Sequence, residues 1–224
     1  MAHVLKTSFQ GNPNIGLYAY TTDKYCLLGY NMPKAEQNKI KKILDVPIHK
    51  LSLCGTNMLG VFAVGNKNCL LLPEIVFEEE LKTLEKLKIK YKIIKTHLTA
   101  LGNNILCNNK GCVVNPEFSD IAIKEIKEAL KVPVKRGTIA ELNIVGSLAV
   151  LRKNHCLTHP EILKQEQKKI ERLLNVSVDT GTINFGVPFV SSGIIVNSNG
   201  FIIGAASTGI EIQNTDMALG FLKR

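Results

Sequence analysis

Apolar residues in this chain come in short runs separated by polar turn residues. Runs over 15–19, 58–64 and 144–151 each lead into a turn: Thr22-Asp23, Gly65-Asn66 and Lys153-Asn154. Asn108-Asn109 and Asn197-Ser198-Asn199 are further turns of this kind, and a second apolar run follows every one. Two apolar runs joined by Asn, Gly or Asp predict a β-hairpin. The second run carries a phrase written five times: Tyr25-Cys26-Leu27-Leu28, Asn68-Cys69-Leu70-Leu71, Gly111-Cys112-Val113-Val114, His155-Cys156-Leu157-Thr158 and Gly200-Phe201-Ile202-Ile203. From Cys26 through Cys69, Cys112 and Cys156 to Phe201 the steps are 43, 43, 44 and 45 residues. A period held this closely predicts stacked supersecondary units.

Helical periodicity follows each hairpin. Ile40, Ile43 and Leu44 show the i, i+3, i+4 spacing of one helix face, as do Ile126, Ala129 and Leu130, and Ile170, Leu173 and Leu174. Pro73-Glu74, Pro116-Glu117 and Pro160-Glu161 precede three of these helices, and proline can end a ladder and open a helix. A third strand is predicted after each helix, at Val46-Pro47, Ile89-Lys90, Val132-Pro133 and Val176-Ser177. The fifth unit has a helix expected within 211–222 and no third strand after it. Ser8, Gly11 and Gly16 stand 44 residues before Ser52, Gly55 and Gly60, so residues 3–10 match a third strand. The N-terminal strand is therefore expected to complete the fifth unit and close a ring, which would remove open sheet edges. An open solenoid is the alternative, and it would need polar caps at both ends.

The expectation is an α+β fold: a single domain spanning 1–224, built as a closed ring of five pseudo-symmetric ββαβ repeats. The units run roughly over 14–56, 57–102, 103–142, 143–186, and 187–224 with 1–13. Five such units resemble the pentein architecture, the five-fold α/β propeller.

Composition is that of a globular protein, 45% hydrophobic and 21% charged. The net charge of +9 rests on 24 Lys and four Arg. It points to a polyanionic partner, or to the Lys/Ile-rich composition of a heat-adapted source. No signal peptide and no membrane span are expected, and six Cys without a secretory leader suit a reducing, cytoplasmic setting.

Candidate chemistry is sparse. The in-register Cys are expected to be core, because Phe201 takes the same place in the fifth copy. His155 and His159 flank Cys156 at a spacing that can bind zinc, but alternation along a strand turns His155 and Cys156 to opposite faces. His3, His49 and His97 read as ordinary strand residues. No nucleotide-binding or hydrolase motif is present. Polar residues left over collect at the unit junctions: Asn12, Asn14, Gly55-Thr56-Asn57, Gly102-Asn103-Asn104, Asn143 and Asn184. Symmetry gathers them on one rim, as turn formers or as a docking platform.

Val64-Gly65-Asn66-Lys67, Leu98-Thr99-Ala100-Leu101-Gly102-Asn103, Val145-Gly146-Ser147, Thr158-His159-Pro160 and Ala205-Ala206-Ser207-Thr208-Gly209-Ile210-Glu211 resemble the translation initiation factor 6 family of ribosome anti-association factors. The resemblance runs end to end and is nearer to the archaeal branch. The eukaryotic C-terminal tail has no counterpart, and the phosphorylatable serine pair of that branch aligns with Glu171 and Arg172. It implies a non-enzymatic, monomeric, cofactor-free protein. Such a protein binds the subunit-joining face of the large ribosomal subunit, at large-subunit ribosomal protein 14 near the sarcin–ricin loop of rRNA. Roles in large-subunit maturation and in control of initiation follow from the same resemblance. A GTPase and its cofactor protein release the factor in the eukaryotic branch. The family's docking Asn matches Asn103, so the expected contacts are Leu101, Gly102, Asn103 and Asn104, with Asn57 and Asn143 added by symmetry. The alternatives are a guanidino-modifying enzyme, as other penteins are, or a scaffold for another RNA or protein. Against the enzyme, residues 187–224 hold neither Cys nor His, so a late nucleophile and its base are missing.

Overall fold

The computed structural model describes residues 3–222. It contains five separate three-stranded sheets, each with the repeated phrase in its middle strand. The middle strands are Cys26–Leu28, Leu70–Pro73, Cys112–Val114, His155–Thr158 and Phe201–Gly204. Each pairs antiparallel with the strand before it, the hairpin expected from the turn residues. A helix follows, over Lys34–Leu44, Glu78–Lys86, Asp120–Leu130, Lys164–Leu174 or Gly209–Ala218. It returns the chain so that the third strand lies parallel to the middle one. In unit 5 the third strand is Val4–Thr7, with Val4 opposite Phe201 and Thr7 opposite Gly204. The chain closes as the glycine register predicts.

Both faces of each sheet are buried, which explains why the middle strands are apolar throughout instead of alternating. Cys26 and Leu28 pack in the core of unit 1, whereas Leu27 between them packs in the core of unit 2. Leu71 likewise enters the core of unit 3, Val113 that of unit 4 and Leu157 that of unit 5. Ile202 of unit 5 packs in the core of unit 1, so the ring is shut by side chains as well as by a strand. A fully buried Leu or Ile contributes about 2 kcal/mol, and every middle strand divides that gain between two neighbours.

Four sequence expectations need correction. The phrase register places Cys69 beside Cys26, but Leu70 holds that slot: Leu70 pairs with Tyr91 as Cys26 pairs with Ile48. A one-residue slip reverses faces, and Leu70, not Cys69, enters the core of unit 2. The prolines do not open helices, which begin four or five residues later. The helix signals are instead Ser119, whose hydroxyl accepts from Ala122 N, and glutamates in the first turn. The run before four of the five hairpins starts as a helical turn, at Ile15–Tyr18, Leu59–Phe62, Leu101–Asn104 and Val190–Gly193, and in unit 4 as a plain turn. Ring closure leaves sheet edges in place, since the five sheets share no ladder; the edges are harmless because each strand is only two to four residues long.

Cys26, Cys112 and Cys156 are core and Cys69 is buried beside it, whereas Cys54 and Cys107, expected to be core as well, are only half-buried in a loop and at the axial cavity. Burial pushes the thiols of Cys26 and Cys156 up to about 12. His49 lies in a strand, whereas His97 lies in a loop. His3 precedes its strand, bonds Asp216 at 2.8 Å and stacks on Phe221.

Candidate docking face

Every middle strand runs in the same direction, so the ring has two unlike ends. Hairpin tips and helix C-termini form one. The helical turns, the helix N-termini and the loops after the third strands form the other, and all six predicted contact residues lie there.

At the centre of this second end five backbones meet. A Cβ on Gly60 would lie 2.1 Å from Gly16 O, one on Gly102 2.0 Å from Gly60 O, and one on Gly146 2.1 Å from Gly102 O. The circle closes through unit 5, where a Cβ on Gly16 would lie 2.0 Å from Ser191 O. These glycines serve close approach and not an unusual φ. Behind them sits an axial cavity of about 180 Å³ lined by glycines and by strand residues such as Ala19, Ile105 and Ile194.

Around the circle the loops are pinned by buried carboxylates. Cys54 N and Gly55 N donate to Glu80, Ala140 N and Glu141 N to Glu166, and Phe185 N and Gly186 N to Glu211. All six donors have positive φ, so their amides converge on one side of the loop. Each glutamate is the third residue of its unit's helix, where the helix dipole also favours a negative charge. Burial raises the Glu211 carboxyl, but the Thr208, Gly186 and Phe185 amides and the Thr182 hydroxyl outweigh it and hold the group down at about 2. Glu166 is depressed in the same way, burial being overcome by the Thr138 hydroxyl and the Leu163, Glu141 and Ala140 amides. Thr208 and Glu211 form a capping box. Thr208 followed three residues later by Glu211 is a helix-start signal carried by the sequence itself.

The six predicted residues differ in what they offer. Leu101 is 0% exposed and belongs to the core of unit 3. Asn104 is 6% exposed; its side chain donates to Ala100 O at 2.9 Å and accepts from Asn115 at 2.7 Å. Gly102 is a member of the axial circle. Leu101 and Asn104 therefore hold the turn and present no side chain to a partner. Asn103 does: its carbonyl accepts from Gly146 N and Ser147 N, while its amide side chain has no partner among the described residues. Asn57 accepts from Tyr30 N, and Asn143 donates to Glu117 at 2.8 Å. Asn184, also in the junction set, is buried and donates to Pro13 O across the ring closure.

Exposed apolar side chains mark this end as well. Met58, Phe77, Ile121, Leu142, Phe185 and Ile210 all lie on it, Phe185 and Ile210 each 82% exposed. Among the large exposed apolar residues described, only Leu222 is at the other end. Apolar groups concentrated on one end of a folded body mark a candidate interaction surface. Sequence reasoning missed them because Phe185 and Ile210 sit beside turn and helix signals that accounted for their neighbours.

No group of three or more His, Cys, Asp or Glu that could hold a metal occurs among the described residues. The axial cavity is lined by one thiol, Cys107, which donates to Gly65 O, and by no carboxylate or imidazole that could activate it. No described helix is long and apolar enough to cross a membrane.

Comparison with known proteins bears on the fold and on the family. Solved structures of the N-terminal domain of ArgZ, a cyanobacterial arginine dihydrolase, superpose with TM-scores of 0.51 and 0.52 at 11% identity. They cover 76–81% of this chain and 69–71% of theirs, a likeness that supports the pentein architecture and nothing finer. Translation initiation factor 6 of Saccharolobus solfataricus is 43% identical over 96% of this chain and 98% of its own. The Pyrococcus furiosus protein of the same name is 42% identical over 98% and 100%. The eIF-6 family model matches residues 4–218, and the chain belongs to that family.

Proposed function

We propose that this protein is a translation initiation factor that binds the large ribosomal subunit at its subunit-joining face and blocks the small subunit by bulk. The observation that carries the reading is the asymmetry of the ring. The unpaired Asn103 amide and the exposed apolar side chains share one rigid end, and the cavity behind it holds no catalytic pair. A 224-residue domain is roughly 40–45 Å across, from a radius of gyration of about 17 Å. A body of that size on an intersubunit surface excludes a second subunit without chemistry. An interface of about 1,600 Å² is enough for specific attachment and fits within this end.

In this reading Asn103 supplies a hydrogen bond at the centre of the contact, flanked by Asn57, Asn143 and the exposed apolar residues. Large-subunit ribosomal protein 14 beside the sarcin–ricin loop is the partner that the family resemblance implies. The protein works as a cytoplasmic monomer without a cofactor, in subunit maturation as well as in initiation, and is released by a GTPase acting with a cofactor protein. Co-sedimentation tests the core of the proposal. Purified protein should travel with isolated large subunits and lower their joining to small ones; equal binding to small subunits or to free rRNA would defeat it.

A further inference from the structure

At the end opposite the docking face the hairpin tips surround a bowl of about 890 Å³ that opens onto the axial cavity. Four of the five tips bring one lysine each: Lys24, Lys67, Lys110 and Lys153. Lys88, Lys90 and Arg152 line the wall. None of these seven cations is in a salt bridge among the described residues, although Asp23 and Asp216 lie near enough to Arg152 to favour its charge. The bowl's lining includes one carboxylate, Asp23, and both of its oxygens are occupied, by Ser198 N at 2.8 Å and Ser198 Oγ at 2.9 Å. Arg152 is held by the carbonyls of Leu219, Gly220 and Ser198, which orient its charge without neutralising it. Its buried Nε has no hydrogen-bond partner.

We propose that this bowl is a binding site for a compact oligophosphate, several phosphate groups carried on one small scaffold. Lysine ammonium groups act as mobile point charges that adapt to phosphate oxygens. A concave, low-dielectric wall lined by one sign of charge focuses the potential toward its axis. The closed circle of tips decides between a compact and an extended anion. An RNA backbone needs a track along which successive phosphates are neutralised, whereas charges set around a ring converge on one centre. The fifth tip, with Ser198 and Asn199, leaves a gap in the circle. The site is independent of the docking face and stands or falls without it.

Calorimetric titration with myo-inositol hexakisphosphate and with inorganic tripolyphosphate tests the site. The parent should bind one equivalent. The variant K24Q/K67Q/K110Q/K153Q should bind about tenfold or more weakly. The control K34Q/K82Q/K124Q/K168Q removes the same four charges from the helices and should stay within about threefold of the parent. Equal losses in the two quadruple variants, absence of saturable heat, or tighter binding of a single-stranded uridine decamer than of the hexakisphosphate would each overturn the proposal. Coincident melting curves for the two variants show that the comparison is between folded proteins.

Discussion

Asn108 at a hairpin tip of unit 3 donates through Nδ2 to the carbonyl of Leu174, the last residue of the helix in unit 4, at 2.8 Å. Its Oδ1 meanwhile accepts from Lys110 N and Gly111 N and so shapes its own turn. One side chain forms a hairpin and caps the next unit's helix. Asn66 does the same toward Leu130 O, and Asn197 toward Leu44 O across the ring closure. Unit 4 uses Arg152 on Leu219 O in place of an asparagine. Unit 1 has Thr22, which makes the turn with its hydroxyl alone.

Thr22 suggests how to separate the two roles. Asn108→Thr should keep the turn and lose the staple, at a cost of about 1–2 kcal/mol in urea unfolding, while Asn108→Ala should cost more. If the threonine variant is as stable as the parent, the inter-unit bond has no net value.

The axial circle predicts an unusual glycine contrast. Gly102→Ala drives a methyl into the Gly60 carbonyl and should cost about 2–4 kcal/mol. Gly209→Ala, at a helix start with nothing within 4 Å of the new Cβ, should stabilise by about 0.4–1 kcal/mol. Thermal unfolding of the two single variants reads both signs.

Acid sensitivity follows from the pinned loops. The folded Glu211 carboxyl titrates at about 2, below the unfolded value of 4.5, so its stabilisation is complete above the unfolded pKa. It is lost as pH falls from the unfolded toward the folded value, and Glu166, also depressed, adds to the same loss. Glu211→Gln should therefore cost on the order of 2–3 kcal/mol at pH 7, with the gap to the parent closing near pH 2. A gap that stays constant with pH would show that packing, not charge, makes the glutamate important.

Neighbouring asparagines should behave in opposite ways. Asn103→Ala should leave the melting temperature unchanged and weaken large-subunit binding about 5- to 30-fold. Asn104→Ala removes buried hydrogen bonds and should lower stability by about 1–3 kcal/mol. Pelleting assays and thermal unfolding, run on both variants, separate contact from support.

Much of the ring was legible because its causes are local and repeat. Ile40, Ile43 and Leu44 mark a helix face in any context, and Asn108 or Asn197 with a Gly three residues later marks a turn. The matched spacing of Gly11 with Gly55 and of Gly16 with Gly60 was enough to assign the N-terminal strand to unit 5. In each pair the partners do the same work: Gly11 and Gly55 take positive φ, and Gly16 and Gly60 stand in the axial circle. The one-residue error at Cys69 shows where repetition misleads. Leu70 and Cys69 are both acceptable core residues, so composition could not say which faces inward, and only pairing with Tyr91 decides.

The sequence by itself determined the fivefold repeat, the hairpin and helix of each unit and the closure, since short-range periodicity and turn chemistry specify those without reference to the rest of the chain. Tertiary structure alone decided which polar residues face outward. Asn103 and Asn104 are adjacent and chemically identical, yet one is free and the other is bonded to Ala100 and Asn115. The same holds for the Asn108 amide and the Glu211 carboxylate. Their partners lie 66 and about 25 residues away and come within hydrogen-bond distance only when the units pack.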